Sequence, residues 1–324
     1  MQPIISVIIP CYNSAEYIKS SLLSVLVQDT LEGQMEVICV DDGSTDDTVK
    51  EIEKIAVKDK RIKVYSQPHQ GPYVARDLGL SKARGKYIHY MDSDDMLDKN
   101  TYSICLGLMQ FHNLDQIMFC GEAFGEKQES VEAYNKHYSV SDEVKGQVFP
   151  GIELMEKMSE TGNFFVGLPF RIVKREIVQS KEILPCLSLF HADNYYSMVS
   201  LCLSQKSMVV GNRFYKRRVR EGSISTIPNK EKEHFSSIWS VIMALSYMLS
   251  NNLKHIDSPF IKKYMFRMVR ALYRRAGNLT QEEMESCIDT FDANISDDIR
   301  FFMKTCFLPL FMKERNMQRK KKKN

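Results

Sequence analysis

The sequence has eight cysteines but no CxxC pair, no uninterrupted apolar run of the ~18 residues that cross a bilayer, and little net charge, +3 over 324 residues. Cys11, Cys39, Cys105, Cys120, Cys186, Cys202, Cys287 and Cys306 stand singly, several inside apolar runs. That spacing excludes a paired-thiolate zinc or redox site and reads as reduced core cysteine in a reducing compartment. With no basic stretch ahead of an apolar run at the start, a cytoplasmic location is expected. The small net charge gives no global affinity for nucleic acid, and no nucleic-acid fold signature accompanies the basic residues near the C-terminus. Two nucleotide-binding signatures are also absent. The first strand is followed by Pro10-Cys11-Tyr12-Asn13 instead of GxGxxG, which removes a dinucleotide-dependent dehydrogenase. Gly79 and Gly85 are one residue too far apart for a P-loop, and Tyr87 stands where Ser or Thr is needed.

What is present is a 44% hydrophobic chain, enough for a substantial core and two domains or one with an appendage. Short apolar runs alternate with helix-period segments through the first hundred residues, the pattern of a parallel sheet with crossover helices. Strands are expected at 4–9, 37–40, from Ile62, and at 87–91. Asn13 and Glu16 resemble a capping box ahead of Ile18, Leu22 and Val25 on one helical face, and Ser44 and Asp47 a cap pair ahead of Val49, Ile52 and Ala56. A third helix is expected to turn Val74, Leu78 and Leu80 inward. Residues 121–151 read as polar and irregular, a boundary or an active-site excursion, and 228–232 read as a linker.

Two acidic clusters fall at strand C-termini, the edge of an open α/β sheet where ligands bind. Asp92-Ser93-Asp94-Asp95 suits a hard divalent cation that bridges phosphate oxygens, and equally reads as a solvated turn capping the next helix. In Asp41-Asp42-Gly43-Ser44-Thr45-Asp46-Asp47, a carboxylate suits a hydrogen bond from a base imide and the glycine permits close backbone approach, while capping accounts for Ser44.

Taken in order, residues 6–13, 40–47 and 85–95 resemble the family 2 glycosyltransferases of GT-A fold, of the bacterial surface-polysaccharide type. The resemblance covers roughly residues 4–225 and is densest before residue 100. It implies an α/β fold with a Rossmann-like, mostly parallel sheet flanked by helices, to which apolar spacing adds a helical C-terminal extension. The expected domains are a catalytic domain at 1–227, with nucleotide-sugar binding in 1–120 and the acceptor side in 121–227, and, from its spacing and charge, a helical basic region at 228–324. It further implies a metal-dependent inverting glycosyltransferase that uses Mn²⁺ or Mg²⁺ and a UDP-sugar donor, with a saccharide or polyprenyl-linked acceptor. In that reading Pro10 and Tyr12 lie at the donor base, Asp41 bonds it with Asp42 alongside, Arg76 lies near the base or diphosphate, Asp92 faces the ribose beside Ser93, and Asp94 holds the metal.

The family base usually sits in a Glu-Asp pair. Leu189-Phe190-His191-Ala192-Asp193-Asn194-Tyr195-Tyr196 resembles that site with Asp193 as the base, and departs from it at Ala192. Lys216, Arg217, Arg218 and Arg220 end the resembling region; alternation on a strand leaves at least two of them solvated, with Arg218 and Arg220 open as diphosphate contacts. The Gln-x-x-Arg-Trp signature of processive synthases is absent, which suits single-residue addition. Other readings are a non-catalytic nucleotide-sugar-binding or membrane scaffold protein and a sugar-phosphate nucleotidyltransferase. The latter usually carries a Gly-rich basic loop after the first strand, missing here.

Ile238, Ile242, Leu245 and Leu249 have helical spacing. Residues 260–275 place Ile261, Tyr264, Met265, Met268 and Leu272 on one helical face and Lys263, Arg267, Arg270 and Arg274 on the other. With the apolar stretch 301–311, Lys313, Arg315 and the run 319–323, this basic region points to peripheral contact with an anionic membrane, or to packing with its charges in solvent.

Overall fold

The computed structural model describes residues 2–28, 34–125, 128–180, 192–220, 234–239, 241–242, 245, 258–275, 279–280 and 282–283. The chain divides into two compact units, Met1–Ile183 with Tyr196–Ile227, and Leu184–Tyr195 with Pro228–Asn324.

The first unit is built on β1 (Ile5–Cys11), β2 (Met35–Asp41), β3 (Ile62–Ser66) and β4 (Tyr87–Tyr90), joined by α1 (Ile18–Leu26), α2 (Thr48–Ala56) and α3 (Pro72–Lys82). Every residue of β1 and β2 is buried, as nearly unbroken apolar strands must be when helices cover both faces of a parallel sheet. β1 lies between β2 and β4, with Cys11 level with Asp41 and Ile8 level with Tyr90. Beyond this parallel block the sheet is mixed. β8 (Arg171–Lys174) runs antiparallel between β4 and β6 (Gln116–Gly125), and β6 pairs in parallel with β9 (Ser207–Val219). β5 (Met96–Leu97) and β7 (Val148–Phe149) run antiparallel to β9. Among the described residues follow α4 (Thr101–His112), α5 (Gln128–His137), α6 (Gly151–Glu160), α7 (Arg175–Val178) and α8 (Ala192–Leu203), the last entering this unit at Tyr196.

Several local expectations are corrected. The polar stretch after Gly121 is not irregular throughout: β6 continues to Gly125 and α5 follows. Its polar residues are stable in a strand because Glu122 stands level with Lys216 of β9 and ion-pairs with it. α3 turns Tyr73, Ala75, Arg76 and Gly79 inward in place of Val74, Leu78 and Leu80. The reason is crowding on the sheet, since a Cβ at Gly79 would lie 2.4 Å from Ile8 Cγ2. The Asn13–Glu16 capping box does not form. α1 starts at Ile18, and Asn13, at φ 46°, accepts a 2.9 Å bond from Thr45 N. Ser44 caps no helix; its Oγ accepts from Asn13 N at 3.1 Å, and Asp46, not Asp47, accepts from Thr48 N at 3.0 Å. These bonds tie the loops after β1 and β2 to each other.

In the second unit, residues 234–239 are helical and bury Phe235, Ile238 and Trp239; Ile242 and Leu245 are also buried. α9 (Pro259–Arg275) buries Ile261, Tyr264, Met268 and Leu272 and exposes Lys263 and Arg267, the amphipathic division read from its spacing. Tyr264 donates from its hydroxyl to Asn194 Oδ1. The side chains of Met265, Arg270 and Arg274, together with His191, Leu249, 228–232, 301–311, Lys313, Arg315 and 319–323, lie outside the described residues. Among the described residues no helix is long and apolar enough to cross a membrane.

Candidate functional site

The carboxyl edge of the parallel block opens because of where pairing stops. Tyr87 N and Met91 N donate to Ile4 O and Ile8 O, so even-numbered residues of β1 turn their backbone groups toward β4. Pro10 has the same parity and no N–H, so it donates no ladder bond toward β4 beyond Ile8. On the other side Asp42 N still donates to Cys11 O at 2.8 Å. The sheet thus parts between β1 and β4 while staying paired between β1 and β2.

On the β2 side stand Tyr12, Asp41 and Asp42. Tyr12 is 44% exposed and stacks on His69, with ring centroids 4.0 Å apart. Asp42 is buried and fully engaged: Oδ1 accepts from Gln67 Nε2 at 2.7 Å and Gln70 N at 2.9 Å, and Oδ2 from Gly71 N at 2.9 Å, with His69 Nδ1 also 2.9 Å away. Its chemistry is therefore to fold the loop that carries His69. Gly43, at φ 73°, does serve a close backbone approach, but by His69, whose N would lie 2.9 Å from a Cβ there. Asp41 is buried with one oxygen accepting from Ser44 N at 3.2 Å.

On the β4 side the acidic bend begins. Arg76 is buried at the base of α3, and its Nη2 donates to Asp92 Oδ1 at 2.6 Å, with the Tyr73 ring 4.8 Å from its Cζ. Ser93 is half-buried beside it. Arg220 Nε donates to Asp94 Oδ2 at 2.7 Å, and Arg218 Nε to Asp94 O at 2.9 Å. Asp95 points inward, accepting from Tyr215 Oη at 2.6 Å and from Arg218 N at 2.7 Å, while its own backbone carbonyl is held by Ser21 Oγ of α1. Burial, then the charges of Asp94 and Asp92, push the Asp95 carboxyl well above the usual carboxylate range, against the pull of its two hydrogen bonds. His89 on β4 is structural. Burial lowers its pKa to about 4, its Nε2 faces Pro169 O at 2.9 Å and its Nδ1 faces Tyr102 Oη at 2.8 Å.

Pro10, Tyr12, Asp41 and Asp42 thus share one edge with Arg76, Asp92, Ser93 and Asp94; β1, which carries Pro10 and Tyr12 at its end, separates Asp41 and Asp42 from the bend after β4 by about two strand spacings, ~10 Å. Asp193 lies in the first turn of α8, in the segment belonging to the second unit. Sequence reasoning missed His69, Tyr215 and Ser21, none of which carries a periodic or motif signal. It also expected at least two solvated cations among Lys216, Arg217, Arg218 and Arg220, whereas each has a partner: Lys216 pairs with Glu122, Arg217 donates to Tyr138 Oη over the Tyr134 ring, and Arg218 and Arg220 hold the bend.

Among the described residues no three His, Cys, Asp or Glu side chains gather into a closed metal cage. Asp92 and Asp94 nevertheless fit an open site for a hard cation. Both offer carboxylate oxygens, with side chains 40% and 18% exposed, and Mg²⁺-type sites complete their shells with phosphate oxygens and water.

Residues 6–180 match the sequence model for glycosyl transferase family 2. An uncharacterised glycosyltransferase of Haemophilus influenzae is 31% identical over 244 residues, 74% of this chain and 86% of that protein. An uncharacterised glycosyltransferase of Rickettsia felis is 36% identical over 148 residues, 46% of this chain; the chain spans only 23% of that relative's length. The crystal structure of S. aureus TarS 1–349 in complex with UDP-GlcNAc superposes with a TM-score of 0.64 at 18% identity, covering 99% of this chain and 92% of that one, which shows a shared GT-A-type fold. On the family match and the Haemophilus relative together, the chain belongs to glycosyl transferase family 2.

Proposed function

We propose that the chain transfers a single sugar, with inversion, from a UDP-sugar to a hydroxyl of a saccharide or polyprenyl-linked saccharide, assisted by Mn²⁺ or Mg²⁺ at Asp94. The observation that carries this reading is the buried Arg76 guanidinium aimed at Asp92 on one side of the β1–β4 opening, with the Asp41 carboxylate on the other. A cation and an imide acceptor about two strand spacings apart suit the two ends of a nucleoside diphosphate. The UDP-GlcNAc held by TarS, which shares the fold, supports the choice of donor.

Asp41 accepts the base N–H with the oxygen not bonded to Ser44, and the exposed Tyr12 ring packs against the base. Asp42 holds the loop beneath it, and Pro10 offers no backbone donor toward β4 at the opening. Asp92, already oriented by Arg76, takes the ribose hydroxyls, and the fixed positive charge of Arg76 favours the diphosphate beside it. A divalent cation bound at Asp94 supplies neutralisation of the charge that builds on the departing diphosphate. Asp193 removes the acceptor proton as the hydroxyl attacks from the face opposite the leaving group, which inverts the anomeric centre.

The same proposal puts the protein in surface-polysaccharide assembly at the inner face of the plasma membrane. Lys263 and Arg267, exposed on α9, support the membrane part, each contributing on the order of 1 kcal/mol near an anionic surface. The apolar face of α9 is buried, so electrostatics and not insertion would hold the helix there. The test is to mix the protein with Mn²⁺, UDP-sugars and saccharide acceptors and to follow UDP release. Acceptor-stimulated release with one donor supports the reading; background release throughout assigns the chain to the binders.

A further inference from the structure

We infer that Arg220 is an internal counter-ion that Asp94 exchanges for the divalent cation, and that the released guanidinium then engages the donor diphosphate. This rests on the assignment of the cation to Asp94 proposed above.

The two arginines that meet the bend are held differently. Arg218 is anchored by its backbone and side chain together: its N donates to Asp95 Oδ1, its Nε to the carbonyl of Asp94, and its Cζ lies 4.6 Å from the Phe124 ring centroid. Arg220 instead puts its Nε on Asp94 Oδ2, an oxygen that a cation at this carboxylate would claim. The side chains of this pair are 29% and 18% exposed, shielded enough for the attraction to count and open enough for exchange. The rest of the Arg220 guanidinium has a second resting place, the Tyr17 ring, 5.0 Å from its Cζ; Arg218 sits 5.1 Å from the same ring.

Charge counting gives the direction of the exchange. Arg76 offsets Asp92 and Arg220 offsets Asp94. A divalent cation at Asp94 releases one guanidinium beside Arg218 on Tyr17. The diphosphate brought by the donor is the new anion within its reach, and the planar fork matches two phosphate oxygens. Metal and Arg220 therefore compete before the donor arrives and cooperate once it has bound.

The experiment compares Arg220→Gln with wild type by isothermal titration, first with Mn²⁺ alone and then with UDP at saturating Mn²⁺. Mn²⁺ should bind the donor-free variant about fivefold more tightly, and UDP about tenfold more weakly. Unchanged or weaker Mn²⁺ binding, or unchanged UDP binding, overturns the inference. Arg220→Lys covers a misfolded glutamine variant: it keeps the competing charge without the fork, so Mn²⁺ binding should stay near wild type while UDP binding weakens. Asp94→Asn separates the two layers. If it binds Mn²⁺ as well as wild type, the cation assignment itself fails; if it loses Mn²⁺ while Arg220→Gln changes nothing, only the exchange fails.

Discussion

Arg76 Nη2 and Asp92 Oδ1 meet at 2.6 Å, joining the buried face of α3 to the bend after β4. The partners are unequal: the arginine side chain is 9% exposed and the aspartate 40%. A charge that has given up most of its water is being presented to a carboxylate at the rim. Burying a guanidinium stabilises nothing by itself, so its value lies in the fixed direction of its donors.

Arg76→Lys should therefore fold, keep a positive charge and still bind UDP about tenfold more weakly, because an ammonium cannot hold Asp92 and a phosphate in one plane. Isothermal titration with UDP and Mn²⁺ measures this. An unchanged Kd would remove Arg76 from the donor site.

Tyr215→Phe should destabilise the protein by about 1–3 kcal/mol, the cost of leaving a buried polar group without its partner. Two groups lose that partner, Asp95 Oδ2 and Asp92 N, which lies 3.2 Å from the hydroxyl oxygen. Urea denaturation of both proteins checks it; a difference under ~0.5 kcal/mol would mean the carboxyl is satisfied another way.

Asp77 offers a pH test. Burial raises its pKa from 3.8 to about 6, with Arg76 pulling it partly back. The folded state thus binds this proton more tightly than the unfolded chain, and the carboxyl costs stability as pH rises from about 4 to about 6 and above. Asp77→Asn stays neutral and should be more stable than wild type by on the order of 2 kcal/mol at pH 8, with the gap closing near pH 4. Denaturation at both values decides: a gap independent of pH would mean that the charge is not the cause.

Asp193→Asn should bind UDP and Mn²⁺ as wild type does and lose transfer by at least ~100-fold, the usual contribution of a positioned base. Titration and UDP release, run side by side, separate the two effects. A variant that transfers at the wild-type rate would move proton removal to another residue.

The parallel block was readable from sequence because its strands are unbroken apolar runs ending in polar clusters, a one-dimensional signal. The assignment of Asp41, Asp92 and Asp94 to one edge followed from topology alone, since strands flanking β1 in parallel must deliver their C-termini together. What stayed hidden depends on distant partners. The inward face of α3 is set by Ile8, seventy-one residues before Gly79, and by the pull of Asp92 on Arg76. Ser44 looks like a helix cap until Asn13 is beside it, and Asp42 looks like a ligand group until the loop at Gln67, Gln70 and Gly71 consumes its oxygens. The Arg220 side chain reaches the Asp94 carboxylate and the Arg218 side chain its carbonyl, a difference that spacing along a strand does not carry.

A ring nitrogen without hydrogen at position 10 makes the mouth of the molecule a matter of covalent connectivity. Repacking of neighbouring side chains cannot supply that donor, because the missing atom is not a conformational variable. A substitution that restores an amide there would give β1 one more bond to offer β4 beyond Ile8.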